Sequence, residues 1–338
     1  HEGLFDWLAA RVLALGRGSR RRLFALVYLL GIAVTALLSN DTTAIVLTPA
    51  IAAALLRTDA DPLPYLFACA FVANAASFVL PISNPANLVV FGSHLPALHV
   101  WLGAFALSAI AAMLLTYAGL RFFFRNTLRG DYADGARSPA LPRAGALSGG
   151  AIAGAALALI VVAALRIDVG YTALAAAAVA LLIVSLRERG AAAFVARHIA
   201  WQVVPLVAGL FVVVAALDRC GAINVLRVLL QHTQTMGSAG TLVASLVITI
   251  ACNLFNNLPV ALATGFALQS APVAPPVAHA ALVAVDLGPN ISVTGSLATM
   301  LWLIALRREG FAVDPWTFLR IGLAITVPAL IVSVLLVR

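Results

Sequence analysis

Five apolar runs in this chain are each close to the length of about 20 residues that a helix needs to cross a bilayer. These runs are Val100–Phe124, Gly145–Leu165, Gly170–Leu186, Ile199–Leu217 and Thr317–Val337. Only 10% of the residues are charged, against about 25% in a typical soluble domain. The sequence therefore predicts an all-α, multi-pass protein of the cell inner (plasma) membrane, with the lipid bilayer as its solvent. Soluble enzymes and nucleic-acid binders are excluded.

Other apolar runs are shorter, or polar residues interrupt them at membrane depth. Basic residues, all of them Arg, concentrate in four gaps at 17–22, 121–143, 187–197 and 307–308, and basic gaps stay on the cytoplasmic side. Placing all four gaps inside requires Leu23–Leu56 and Thr241–Leu268 to be re-entrant hairpins. The first would enter from the cytoplasm and the second from outside.

The order of these segments repeats within the chain. A short amphipathic piece (Gly3–Leu15, then Gly221–Leu230) precedes each hairpin, and a helix broken by polar residues follows each one. The basic gaps give the two halves opposite orientations, which is typical of inverted-repeat secondary transporters. We expect a first repeat at 1–124, a cytoplasmic linker at 125–144 and a second repeat at 145–338. The first repeat has no counterpart of Ile199–Leu217, so the fold is expected to be N-terminally incomplete.

Four polar clusters interrupt the apolar runs at the hairpin tips and in the broken helices. They lie at 39–43, at 81–87, at 253–257 followed by Pro259, and at 286–290 together with 294–296. Non-helical backbone at this depth persists only when protein buries it or when it lines a wet cavity. Asn, Ser and Thr offer uncharged donors and acceptors, which suit a small hydroxylated or oxyanionic solute. An alternative interpretation is that these side chains only cap helices. The predicted solute-binding residues are Ser39, Asn40, Thr42, Ser83, Asn84, Asn87, Asn256, Asn257, Asn290, Thr294 and Ser296.

Two acidic residues, Asp41 and Asp286, lie within these clusters. An ionised Asp at the centre of a bilayer costs roughly 2.5–3.5 kcal/mol on insertion scales, so such a residue usually has a function. We predict that Asp41 and Asp286 couple transport to protons, the alternative being that each caps a helix. The three Cys residues are widely spaced, and no metal site or other cofactor is expected. The chain also has no HExxH, GxSxG or Ser/Lys pattern, so it is not predicted to be an enzyme.

At the polar clusters the chain resembles the arsenite-efflux permeases, the ArsB/NhaD-type group of the ion transporter superfamily. The most specific stretch is "DLGPNISVTGSLATMLWLIALRREG", from Asp286 to Gly310. "SNDTTAIVLTPAIAAALL" and "NLFNNLPVALATG" are similar to the two hairpin motifs of the family. "SNPANLVVFG" is similar to the broken helix that follows the first hairpin.

The resemblance implies an antiporter that exports arsenite or antimonite in exchange for protons. It also implies two kinds of partner besides the solute, protons and lipid: a cytoplasmic arsenite-stimulated ATPase and a second copy of the chain. Two residues depart from the family pattern, and a third, Pro85 in "SNPAN", is shared by only some branches of the family. Asn290 stands where arsenite permeases commonly have Lys, and Asn74 stands where many have Asp.

The sequence leaves other functions open. A sodium-coupled transporter of a dicarboxylate or another anion, from the same superfamily, would use the same broken helices. A passive channel would place similar polar residues at membrane depth. Sodium dependence of uptake distinguishes the first alternative from arsenite export. Counterflow against preloaded substrate distinguishes a transporter from a passive channel.

Overall fold

A computed structural model describes residues 3–92, 95–133, 140–165, 169–186, 190–198, 201, 203–270 and 273–337. Within these ranges the regular structure is helical, apart from one isolated bridge between Ser19 and Asp131. Parts of five predicted loops lie outside the described residues: 93–94, 134–139, 166–168, 187–189 and 271–272. Residues 134–139 belong to the predicted cytoplasmic linker.

Seventeen α-helices lie in the described part of the chain. In the first part they are α1 (Leu4–Gly16), α2 (Arg20–Leu37), α3 (Asn40–Thr42), α4 (Thr48–Leu55), α5 (Leu63–Ala75), α6 (Pro85–Phe91), α7 (Leu98–Phe123), α8 (Arg143–Ala164) and α9 (Val169–Ser185). They continue with α10 (Ala191–His198), α11 (Val203–Arg219), α12 (Ala222–Thr233), α13 (Gly237–Phe255), α14 (Asn257–Ser270), α15 (Pro275–Leu287), α16 (Leu297–Arg308) and α17 (Pro315–Leu336).

Among the described residues, four helical stretches are long and apolar enough to cross a membrane: α7, most of α8, the stretch from α12 through α13, and α17. Large apolar side chains on these helices, such as Leu114, Leu157 and Leu254, are exposed. Such a surface suits lipid and not water. The prediction of an all-α membrane protein is therefore confirmed.

Helix α2 and the segment α3–α4 lie on either side of a polar turn at Leu38–Ser39. The Ser39 hydroxyl accepts a hydrogen bond from the Thr42 backbone N–H, which caps the new helix. Residues Thr43–Leu47 then form a π-helix before α4 continues, and the Thr48 hydroxyl donates to the Thr43 carbonyl. The sequence predicts only a plain apolar helix here. A π-turn depends on such local hydrogen bonds, which the apolar pattern does not reveal.

Helices α13 and α14 meet at one residue, Asn256, whose φ is +73°. This left-handed conformation is tolerated by Asn better than by most residues other than Gly. It reverses the chain without a longer loop.

Two further helices are interrupted by irregular backbone. Helix α5 ends at Ala75 and α6 begins at Pro85, where the Asn84 side chain caps α6 by accepting from the Ala86 N–H. Helix α15 ends at Leu287 and α16 begins at Leu297, where the Ser296 hydroxyl caps α16 by accepting from the Thr299 N–H. Pro81 in the first interval, and Gly288 and Pro289 in the second, disfavour a continuous helix.

The helices pack in a pattern that occurs twice. Helix α1 packs on α2 and α4, and α12 packs on α13 and α14. Helix α14 also crosses α6, and the π-helical segment at Thr43–Leu47 crosses α16. Helix α7 packs along α17, while α8 pairs with α9. Helix α5 packs against α2, α4 and α7, and every one of its residues from Pro64 to Ala75 is buried.

Candidate functional site

Hydrogen bonds join three of the four polar clusters: Asn84 bonds to Asp286, and Asn256 and Asn257 bond to the backbone at 294–295. Eight of the predicted site residues are buried: Asn40, Ser83, Asn84, Asn87, Asn257, Asp286, Asn290 and Ser296. Four are partly exposed (Ser39, Asp41, Thr42 and Asn256), and Thr294 is exposed. The predicted residues thus range from fully enclosed to exposed.

Asp286 is the most enclosed acidic residue of the four clusters, with 0% of its surface exposed. The Asn84 side-chain amide donates to Asp286 Oδ1 at 2.7 Å, across 202 residues of sequence. Asp286 Oδ2 has no hydrogen-bond partner among the described residues. A carboxylate in this state lacks much of the hydrogen bonding that an ionised group needs when it is buried. Asp286 is therefore a buried carboxyl whose second oxygen is free to bind a proton or another hydrogen-bond donor.

A second buried contact joins Asn74 and Asn290, the two residues that depart from the arsenite-permease pattern. Asn74 Nδ2 donates to Asn290 Oδ1 at 2.9 Å and to Thr299 Oγ1 at 3.3 Å. Asn290 Nδ2 donates in turn to the Phe71 carbonyl. The two departures therefore contact each other, and an uncharged amide pair occupies the position.

The tip of the second hairpin is bonded to the irregular backbone between α15 and α16. Asn256 Nδ2 donates to the Thr294 carbonyl at 3.1 Å, and the Asn257 N–H donates to the Gly295 carbonyl at 2.8 Å. The Asn253 side-chain amide also donates to the Gly288 carbonyl, and its oxygen accepts from the Ser292 hydroxyl. Gly295 allows this close approach, because a Cβ there would lie 2.4 Å from the Pro289 carbonyl oxygen.

The tip of the first hairpin bonds mainly within itself. Ser39 and Thr42 share a hydroxyl contact at 2.9 Å, and the Asn40 side chain accepts from the Asp41 N–H. A bond from the Ser83 hydroxyl to the Ala36 carbonyl connects the nearby end of α2 to the first broken helix. Helix α3 itself packs beside α5 and α16.

Five residues at this site are absent from the set predicted from sequence. Asn74, Ser77, Asn253, Ser292 and Thr299 all contact predicted members or each other by hydrogen bonds. Asn253 belongs to the third polar cluster and Ser292 lies between the two parts of the fourth, so both could have been chosen on that basis. Asn74, Ser77 and Thr299 lie in or beside apolar helices. Asn74 and Thr299 are recognised as site residues only in the structure, where each lies against the other broken helix.

Among the described residues there is no group of three or more His, Cys, Asp or Glu side chains that could hold a metal ion. Cys69 and Cys252 are buried thiols on different helices, and Cys220 is exposed. The site is thus built from amides, hydroxyls and two carboxyls. Such side chains can donate and accept hydrogen bonds, and the carboxyls can also bind and release protons.

Comparison with known proteins identifies the family. The CitMHS family model, described as citrate transporter, matches residues 1–288. The chain belongs to this family. It is 30% identical to the "Arsenical pump membrane protein" of Escherichia coli (strain K12), over 98% of this chain and 80% of that protein. An arsenical pump membrane protein of Yersinia enterocolitica is 29% identical over the same shares. An uncharacterized transporter of Synechocystis is 23% identical over 99% of this chain and 81% of that protein.

These matches confirm the resemblance to the arsenite-permease group over nearly the whole chain. The chain is therefore a transporter of a small-molecule substrate, and it is a multi-pass protein of the plasma membrane. This assignment accounts for a polar interior within an apolar helical body, because a transported solute must be bound at membrane depth.

Proposed function

We propose that the chain exports arsenite or antimonite from the cell in exchange for protons, with Asp286 as the main proton carrier and Asp41 as a second coupling group. The observation that carries this proposal is the Asp286 carboxyl, fully buried with one oxygen bonded to Asn84 and the other without a partner. The names of the relatives that are about 30% identical support the choice of solute.

The predicted binding residues suit an uncharged solute. Arsenite trihydroxide presents hydroxyl groups that both donate and accept hydrogen bonds and carries no charge at neutral pH. Asn256 and Thr294 lie at the accessible edge of the site, with Ser39 and Thr42 at the other hairpin tip. Amides and hydroxyls match such groups without an ion pair. Export against a gradient then needs a coupled charge, and one proton moving down 100 mV supplies about 2.3 kcal/mol.

We further propose that residues 1–124 and 145–338 are two inverted repeats whose hairpins are re-entrant, joined by a cytoplasmic linker at 125–144. The repeated packing supports this arrangement: α1 with α2 and α4 corresponds to α12 with α13 and α14. The contact of each hairpin with the broken helix of the other half also supports it. In this arrangement the hairpin tips and broken helices meet near the midplane, where transporters of this kind bind solute. An arsenite-stimulated ATPase and a second copy of the chain stay predictions from the resemblance.

The proton-coupling proposal is tested in everted membrane vesicles, in which an imposed proton gradient drives the accumulation of arsenite. Asp286→Asn should abolish proton-driven arsenite accumulation, because an amide holds the Asn84 contact but binds no proton. Asp41→Asn should reduce it. Asp6→Asn, which removes an exposed carboxyl on α1, is the matched control and should leave accumulation unchanged. Full proton-driven accumulation in both Asp286→Asn and Asp41→Asn would contradict the assignment.

A second candidate function is sodium-coupled transport of a dicarboxylate or another organic anion. The match to a family model described as citrate transporter favours it specifically. Vesicles distinguish the two functions: arsenite export requires a proton gradient and no sodium. Uptake of citrate or succinate that rises with a sodium gradient, together with no arsenite transport, would favour the second candidate.

A further inference from the structure

The two broken helices correspond residue by residue at a constant interval. Leu63 corresponds to Pro275, Ala75 to Leu287 and Pro85 to Leu297, each 212 positions later. The first helical pieces, α5 and α15, therefore have the same length, and so do the irregular segments that follow them. Insertions and deletions are thus absent from this part of the two segments, although their sequences differ.

At this interval Asn74 corresponds to Asp286, Asn84 to Ser296 and Asn87 to Thr299. Hydrogen bonds cross between the segments in both directions, although the bonded pairs themselves are not at exactly corresponding positions. Asp286, near the end of α15, accepts from the Asn84 cap of α6. Asn74, near the end of α5, donates to Thr299 in the first turn of α16, whose hydroxyl also contacts the Ser296 cap. Each first piece thus bonds to the start of the second piece of the other segment.

These two contacts between the segments, the Asp286–Asn84 crossing and the Asn74–Thr299 crossing, share a further property. Asn74 and Asp286 are both 0% exposed, and each leaves one side-chain oxygen, Asn74 Oδ1 and Asp286 Oδ2, without a hydrogen-bond partner among the described residues. The difference between them is chemical. The carboxyl of Asp286 can bind and release a proton, whereas the amide of Asn74 cannot in the physiological range.

We propose that Asn74 is the uncharged counterpart of Asp286. With Asn at this position, the chain exchanges one proton fewer per transport cycle than it would with an acid at both corresponding positions. This inference rests on the proposed proton exchange. The Asn74 crossing then serves as a fixed hydrogen-bonded contact between the two segments. The Asp286 crossing is the one that changes charge.

An acid at position 74 would find suitable partners. Protonated, its hydroxyl would donate to Asn290 Oδ1, as Asn74 Nδ2 does now. Ionised, it would accept from the Thr299 hydroxyl and from the Asn290 amide after a flip of that side chain. The exchange of Asn for Asp also leaves the side-chain volume nearly unchanged, so close packing is preserved.

Few other titratable groups face these crossings. Cys252 on α13 lies near Asp286, and Ser77 lies beside it. Helix α3, which packs against α5, carries the partly exposed Asp41. Cys69 on α5 lies near Thr48, and Tyr28 on α2 donates to the Met113 carbonyl. Basic side chains are absent from the hydrogen bonds of both crossings in the described chain.

The test measures the ratio of protons to arsenite in proteoliposomes that contain the purified full chain. The ratio follows from the membrane potential and pH gradient at which net arsenite flux reverses. We expect Asn74→Asp to raise the ratio by one proton per arsenite. The control Asn74→Ala removes the amide without adding an acid, and it should slow transport while the ratio stays the same. In the double variant Asn74→Asp/Asp286→Asn, proton coupling that Asp286→Asn alone has lost should return.

The outcomes separate this inference from the proposed function. An unchanged ratio in folded Asn74→Asp, with coupling lost in Asp286→Asn, overturns only the inference. Intact coupling in both Asp286→Asn and Asp41→Asn overturns the proposed proton carriers. If Asn74→Asp does not yield a monodisperse protein, Asn290→Asp places an acid at the other end of the same hydrogen bond and should raise the ratio equally. A lower ratio in Asn74→Ala would also overturn the inference, since it would give the amide a part in proton movement.

Discussion

The two hairpin tips differ in how they are attached to the rest of the site. Five hydrogen bonds fix the second tip to the segment between α15 and α16, through Asn253, Asn256 and Asn257. The first tip is capped by its own Ser39 and Thr42, and a single bond from Ser83 reaches the nearby end of α2. Two tips with similar polar composition therefore have different mechanical roles. The second forms one unit with its broken helix, while the first depends on packing against α5 and α16.

The strongest way to break this difference is to separate the second tip from its partner segment. Gly295→Ala would place a methyl group 2.4 Å from the Pro289 carbonyl oxygen and 2.8 Å from Asn253 Oδ1. Because most of these neighbours are backbone atoms, we expect destabilisation of about 3 kcal/mol, at the upper end for overpacked sites. Thermal unfolding in detergent measures it. Gly103→Ala is the control, since a Cβ at Gly103 meets nothing within 4 Å. Equal unfolding midpoints for the two variants would contradict the close approach.

A smaller effect is expected from Asn253→Ala, which leaves the backbone in place. The substitution removes the donor to the Gly288 carbonyl and the acceptor of the Ser292 hydroxyl. Loss of two partly buried hydrogen bonds of this kind costs about 2 kcal/mol. The same unfolding assay, with exposed Asn126→Ala as control, measures the change. A variant as stable as the control would show that the second tip does not depend on these bonds.

The smallest effect is expected at the first tip, from Ser39→Ala. The variant loses one helix cap, with a typical cost of about 1 kcal/mol. Because the first tip has few bonds to its surroundings, the change should stay local. Hydrogen exchange should accelerate at Asn40–Thr43 and remain unchanged at Asn256–Leu258. A loss of stability equal to that of Asn253→Ala would remove the contrast between the tips.

Much of the helical framework could be predicted from sequence, because apolar runs are local signals. The run Val100–Phe124 corresponds to the helix Leu98–Phe123, and Thr317–Val337 to Pro315–Leu336. Breaks at Asn256 and at Gly288–Pro289 also follow from local chemistry. The partners of individual polar side chains could not be predicted. Asn74 and Asn290 are 216 residues apart in sequence, and no periodicity indicates which amide will contact which.

The interval of 212 residues between the broken helices is a signal that was available in the sequence. It does not depend on shared residues, because Asn74 and Asp286 differ in charge and Asn87 and Thr299 differ in side-chain type. It becomes visible only when the ends of helices are aligned. Helix ends that are set by Pro85 and by the Ser296 cap provide that alignment, whereas residue identity does not.

Helix α5 has a consequence for how the chain enters the membrane. Its 13 residues rise about 20 Å, which is less than the roughly 30 Å of hydrocarbon in a bilayer. From Pro64 to Ala75 no residue faces outward, so this segment has no side that lipid could solvate in the finished protein. Stable insertion of α5 therefore requires α2, α7 and α16 to surround it, which makes biogenesis a cooperative event and not a sequence of independently inserted spans.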